Sequence, residues 1–506
     1  METTREVKPD PRYVEETSNY LNSIRKNQAA LRHFFNIMPK GGDVHNHLTG
    51  SAYAETYFEL AAKKGMYVNL ETGRLYTQKP IEVETIRLSK DMDDLHNHRM
   101  ALIDKWSIRN FQPYKYPLGP DEYFFGTFGL LAALTSDVNN LAHLMNELKV
   151  RAYKERVQYL EVMASSPSVG QYCLLSEDDY KKYDKDLKEY VKENNISELI
   201  STLQTILDKF SDEKNEEATK CVNDYLDSIY TLDELSRNGQ FSDVLCRYQG
   251  YASRGGEPIK VFAQLYVVHK ACIKDERKLL VGCNIVAAEN GEKSMLYYRS
   301  HMEMFALLAE KFKSVPTSLH AGELTMGLVR PEHLKYHITQ AVDIGKAHRI
   351  GHGVDISFES WDVLLDGCSI DILGVMRDKA IPVEINLTSN EFILGVKDSA
   401  HPITFFHKNG IPIIISTDDP GILRTSLTEQ FTLAVLRYGF SYEEIKQFVY
   451  NSIKYSFLPE RKTSAEDYFD REDLIEKLDR DFVFFENRFH KSDFTPIDAE
   501  CTGSNN

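Results

Sequence analysis

The apolar positions of this chain fall into two patterns, and their order lays out an architecture. Near the start, Tyr13, Tyr20, Leu21, Ile24, Ala29, Leu31, Phe34 and Phe35 recur at helical spacing until Pro39 ends the run. Helix is therefore expected over 11–38, either lying across the main domain or serving as a dimerisation arm, and 1–40 form an N-terminal helical arm. Short apolar runs follow at 43–47, 157–163, 260–269, 279–286, 317–321, 348–350, 381–386 and 411–417. Helical patterns lie between them, for example over 52–64, 300–312, 331–344 and 403–408. Buried parallel strands read as unbroken apolar runs, as Ile411-Pro412-Ile413-Ile414-Ile415 does. Eight of them alternating with helices predict an α/β fold, a (β/α)8 TIM-type barrel over 41–490, with its chemistry at the C-terminal strand ends.

Two stretches depart from that alternation. Residues 172–255 are rich in Lys and Glu at amphipathic spacing, and Ser176 with Asp179 three residues on reads as a helix start. We read 172–255 as a helical insertion after strand 2, its charged positions forming a solvated face. Past residue 426 helices run to about 488, and 491–506 read as a disordered tail.

Composition narrows the function classes. With 42% hydrophobic and 27% charged residues, the 506-residue chain is that of a soluble globular protein. No apolar run reaches membrane-spanning length, and Met1-Glu2-Thr3-Thr4-Arg5 lacks a secretory pattern, so no membrane partner and a cytoplasmic location are expected. A signal removed from a longer precursor would instead make the protein secreted or periplasmic. A net charge of −16 argues against a nucleic-acid partner, which needs a concentrated basic surface. Seven scattered cysteines form no C-x-x-C pair, so a metal would be held by nitrogen and oxygen.

Candidate chemistry sits where the apolar runs end. In Gly42-Asp43-Val44-His45-Asn46-His47-Leu48-Thr49-Gly50, two histidines at i and i+2 of a strand point the same way. Leu319-His320-Ala321-Gly322-Glu323, Arg349-Ile350-Gly351-His352-Gly353, Glu384-Ile385-Asn386-Leu387-Thr388-Ser389-Asn390 and Ser416-Thr417-Asp418-Asp419-Pro420 present further ligand types. His45, His47, His320 and Asp418 together make a three-imidazole, one-carboxylate site with room for water, which suits one catalytic Zn2+ per subunit. His352 suits a base or electrostatic partner, Glu323 can carry a proton, and Asp419 can turn toward a substrate. Phe124 and Phe128, four apart on a helix, read first as core.

These motifs, in this order over residues 40–420, resemble the adenosine/AMP deaminase family of the amidohydrolase superfamily. Met38-Pro39-Lys40-Gly41-Gly42, the helical arm and the insertion resemble its growth-factor-type members more than the short form. The resemblance implies hydrolytic deamination of adenosine or 2′-deoxyadenosine through attack of a zinc-activated hydroxide on purine C6. It assigns zinc to His45, His47, His320 and Asp418, protonation of N1 to Glu323, deprotonation of the water to His352 and a bond to N7 to Asp419. It places Thr49 near the ribose, Gly50 among the substrate-binding residues, Phe124 and Phe128 on the pocket wall, and Ala287 where the family carries a glycine beside N3. Thr49 stands where the short form has an aspartate, which removes a charge that would repel a 5′-phosphate. Deamination of AMP, adenine or an N6-substituted form therefore stays open, as does a growth-factor-like binding protein with a relict site. The resemblance also points to a purine nucleoside as small-molecule partner and to a homodimer.

Overall fold

A computed structural model describes residues 10–170, 174–237, 244–359, 364–365, 368–460 and 470–490. Eight parallel strands form the barrel: β1 Gly42–His47, β2 Tyr159–Ser165, β3 Leu245–Ser253, β4 Leu280–Val286, β5 Ser318–Ala321, β6 Arg349–His352, β7 Val383–Ile385 and β8 Ile413–Ile415. They pair in chain order as two four-stranded sheets, β1 to β4 and β5 to β8. Single parallel bridges join the sheets at both seams, Asn46 with Asp418 and Cys283 with Thr317. The strands are buried almost throughout, which is why seven of the eight read as apolar runs.

The third strand does not follow the expectation. Residues 260–269 lie within the helix Pro258–Lys274, and the strand is Leu245–Ser253, inside the stretch read as wholly helical. Arg247, Gln249 and Gly250 break the apolar run of β3. The helix is buried nearly all round, because Phe210 of the helix Ile196–Ser211 packs on its Phe262 and Tyr266. A helix covered on every side loses the polar stripe that identifies it. The helices Glu177–Lys192, Ile196–Ser211 and Glu216–Arg237 do stand between β2 and β3, and Ser176 Oγ accepts the Asp179 N–H at 3.2 Å. Residues 491–506 lie outside the described part. Among the described residues no helix is long and apolar enough to cross a membrane.

The N-terminal stretch is two helices, Pro11–Ile24 and Gln28–Ile37, with Asn27 capping the second through the Ala30 N–H. They pack on their own chain: Phe34 meets Phe485 at 5.2 Å between ring centres, and Tyr20 meets Phe489 at 5.0 Å. Lys40 fastens this arm to the barrel. Its buried ammonium donates to the carbonyls of Phe35, Met38 (3.1 Å) and Glu155 (2.6 Å), which end two helices. Those carbonyls have no donor of their own within a helix.

The barrel axis is charged rather than oily. Arg349 binds Glu161 through Nη2 and Glu384 through Nε, both at 2.5 Å, and lies over the Phe457 ring at 3.7 Å. Tyr159 Oη (2.8 Å), Gln249 Nε2 (2.9 Å) and the Phe457 N–H (2.9 Å) donate to Glu161. Burial alone would raise the Glu384 carboxyl, but Arg349 and His45 outweigh it and hold it at about 2. Because this pKa is depressed by folding, its stabilisation is complete above the ordinary carboxylate range and drains away as pH falls through about 2.

Three substitutions test this packing. Lys40→Met leaves three buried carbonyls short of a donor and is expected to cost about 3 kcal/mol in chemical denaturation. An unchanged midpoint would show the ammonium to be dispensable. Arg349→Met strands two buried carboxylates and is expected to cost about 3–5 kcal/mol, while Glu384→Gln flattens the acid limb of the melting curve.

Candidate active site

The hydrogen bonds that close the barrel also assemble the site. Across the β1–β8 seam, Asp418 N–H donates to His45 O (2.9 Å) and His47 N–H donates to Asp418 O (3.0 Å). Asp418 Oδ1 then lies 3.4 Å from His45 Nε2 and 3.3 Å from His47 Nε2. His320, at the end of β5, completes the group, its Nε2 standing 3.2 Å from His47 Nε2. One ligand atom from each of the four lies within 4.8 Å of every other. His45, His320 and Asp418 are buried and His47 is partly exposed.

Donor chemistry shows that this set fits a metal. His45 Nδ1–H donates to Glu384 Oε2 at 2.6 Å, and His320 Nδ1–H donates to Asn284 Oδ1 at 2.9 Å. Each bond fixes the tautomer and turns an Nε2 lone pair inward. His45 Nε2 is buried without a hydrogen-bond partner among the described residues, an arrangement that wastes a polar atom unless a cation takes it. Burial, followed by the neighbouring imidazoles, pushes His320 well below its usual range and keeps it neutral, as a ligand must be. His45 behaves differently in the metal-free chain. Burial works against its charge, but Asp418 and Glu384 outweigh it and raise it to about 10.

Three further titratable groups, Glu323, His352 and Asp419, surround this centre. Burial and then the charge of Asp418 push both Glu323 and Asp419 well above the ordinary carboxylate range, which favours the protonated form of each. Asp418 is held well below the ordinary carboxylate range: burial opposes its charge, and the nearby imidazoles of His45 and His47 outweigh burial. His352 Nδ1 lies 3.6 Å from Glu323 Oε1, and burial pushes its imidazole down to about 3. Asp419 rests on Gly50, where a Cβ would stand 1.5 Å from Asp419 Oδ1, so only glycine admits that carboxyl. Asp419 Oδ1 is itself buried and unpartnered among the described residues.

The remaining residues expected at the site are placed as follows. Thr49 is half-buried and its carbonyl accepts Tyr57 Oη–H at 2.6 Å. Phe124 and Phe128, 5.6 Å apart, belong to an apolar cluster of their own with Ile393, Ile422 and Leu423, beyond β7 and β8. Ala287, just past β4, has φ +85°, and His352 and Asp418 have φ +67° and +65°. Three non-glycine residues in the left-handed region around one centre mark backbone strain, of the order of 1–3 kcal/mol each.

A layer behind these groups escaped the sequence analysis. Arg254 donates from Nε to Ala287 O (2.8 Å) and from Nη1 to His320 O (3.0 Å). Glu289 accepts the N–H groups of Gly322 (3.1 Å) and Glu323 (2.8 Å), which sets the backbone that bears the Glu323 carboxyl. Glu384 and Asn390 stand in a segment already singled out, and their chemical type was the available signal. Arg254 offered none, since it ends a strand that was itself misplaced.

Comparison with known proteins agrees with this geometry. The sequence model of the family described as adenosine deaminase matches residues 259–468, a span that carries His320, Glu323, His352, Asp418 and Asp419. Adenosine deaminase of Clostridium perfringens is 22% identical over 422 residues, 83% of this chain and 94% of that one. Among solved structures, Arabidopsis N6-mAMP deaminase has TM-score 0.53 at 18% identity, covering 88% of this chain and 99% of its own. A zinc-bound amidohydrolase from Burkholderia ambifaria has TM-score 0.53 at 17% identity, covering 90% and 94%. At these identities the structures show a shared fold.

The metal assignment is testable without substrate. Asn284→Ala frees the His320 ring and is expected to weaken metal binding by about 10–100-fold in chelator competition; an unchanged affinity would mean that Asn284 does not orient a ligand. In its motifs and over most of its length the chain is similar to adenosine deaminases, residues 259–468 match that family's sequence model, and the relatives support an aminohydrolase.

Proposed function

We propose that this protein deaminates adenosine and 2′-deoxyadenosine hydrolytically, with one zinc ion held by His45, His47, His320 and Asp418. The observation that carries this reading is a three-nitrogen, one-oxygen ligand set flanked by two buried carboxyls, both pushed toward the protonated form. Zinc in that position would lower the pKa of water enough to supply a nucleophile at neutral pH. The chain's own groups do the rest. Purine N1 and N7 are both acceptors, so each needs a donor, and the carboxyls of Glu323 and Asp419, pushed toward the protonated form, can each supply one. Proton delivery to N1 by Glu323 makes C6 electrophilic, and the bond from Asp419 to N7 holds the ring in register. Attack of water at C6 then gives a tetrahedral carbon; one proton of that water restores the Glu323 carboxyl and the other reaches the amino group, which leaves as ammonia.

A nucleoside fits better than a nucleotide. Two arginines stack over Tyr53, four residues beyond Thr49, and both are engaged. Arg424 forms a two-point ion pair with Glu55 (3.0 and 3.1 Å), and Arg151 donates to Ser51 O. Neither is left over for a 5′-phosphate. Thr49 favours the second reading, a 6-aminopurine nucleotide, because a neutral residue there does not repel phosphate. We carry the homodimer forward with this reading, to be checked by sedimentation of the full chain.

An absorbance assay with adenosine, deoxyadenosine, AMP and adenine side by side tests the proposal. Adenosine is expected to turn over in zinc-loaded protein, with chelation abolishing the rate and AMP reacting far more slowly. Glu323→Gln is expected to lower kcat by about 10²–10⁴-fold. Faster turnover of AMP would move the assignment to nucleotides, and full activity in Glu323→Gln would remove the proton carrier from the mechanism.

A further inference from the structure

Behind His352 lies a buried relay whose direction is fixed at its far end. The backbone N–H of Ile403 donates to His401 Nδ1 at 3.1 Å. A backbone N–H can only donate, so that nitrogen carries a lone pair and a neutral His401 has its proton on Nε2. His401 Nε2 lies 3.0 Å from Asn390 Oδ1, and Asn390 Nδ2 lies 2.9 Å from His352 Nδ1. All three side chains are buried: His401 is 2% exposed, Asn390 0% and His352 1%. Burial pushes His401 down to about 3, so it is neutral.

Donor and acceptor accounting leaves one arrangement. His401 Nε2–H donates to Asn390 Oδ1, which turns the amide NH2 of Asn390 toward His352 Nδ1. Rotating that amide would face its NH2 against His401 Nε2–H, donor against donor, among three buried side chains. His352 Nδ1 is therefore an acceptor.

We infer that His401 and Asn390 are positioning residues that hold His352 as the neutral tautomer with its proton on Nε2. The nitrogen left to meet water or substrate then presents an N–H. His352 can donate a hydrogen bond to an oxygen that is gaining negative charge, but this nitrogen has no lone pair with which to take the water's proton. The role differs from the base that the sequence motif suggested. Neither His401 nor Asn390 touches the reacting atoms; both act through His352.

The catalytic consequence rests on the proposed deaminase reading, whereas the tautomer does not, and the experiment separates them. The protein is labelled with 15N-histidine, loaded with zinc, and the His352 resonances are assigned by their loss in His352→Gln. A protonated Nε2 and a pyridine-like Nδ1 are expected. A protonated Nδ1 would overturn the inference, whatever substrate the enzyme takes. Asn390→Asp places an acceptor against Nδ1 and is expected to move the proton there, with kcat falling about a hundredfold and KM nearly unchanged. His401→Gln, which can still donate to Asn390, is expected to stay within about tenfold of wild type, while His401→Phe falls as Asn390→Asp does. Unchanged kcat in both Asn390→Asp and His401→Phe would show that the tautomer does no catalytic work.

Discussion

The structure hangs on a column of buried charge along the barrel axis. Glu161, Arg349, Glu384 and His45 run from the inner layers of the barrel to the ligand cluster, each bound to the next at 2.5–2.6 Å. Charges this deep are tolerated only when every partner is present, since removing one leaves another unpaired in a low-dielectric interior. The column therefore does two jobs. It joins β2, β6, β7 and β1 through side chains, and it orients the imidazole of His45 toward the other ligands. Stability and site geometry are thus coupled through the same four residues.

One local field pushes the neighbouring carboxyls of the site in opposite directions. Asp418 is held well below the ordinary carboxylate range because His45 and His47 face it. Glu323 and Asp419 face that charge without a cation of comparable strength beside them, and burial does the rest. The strained backbone at Asp418 and His352 fits this arrangement, because the left-handed conformation aims each side chain where a relaxed strand would not.

Much of this was legible in the sequence, for definable reasons. His45, His47, His320, Glu323, His352, Asp418 and Asp419 all end apolar runs, and the barrel brings those ends together. The third strand was hidden because Arg247, Gln249 and Gly250 interrupt it, while a fully covered helix nearby imitates a strand. The supporting groups were hidden for another reason. Arg254, Glu289, Asn284 and His401 have meaning only through partners 30 or more residues away or through a backbone N–H, and periodicity carries neither.

The central claim is that water, activated in this ligand set, replaces the 6-amino group of adenosine. The direct measurement is mass analysis of the product formed from adenosine in 18O-enriched water by the zinc-loaded protein. The account predicts inosine carrying one solvent oxygen at C6, with one ammonia released per inosine and no label incorporated after chelation. Adenine and free ribose as products, or no reaction in protein shown to contain its metal, would contradict it.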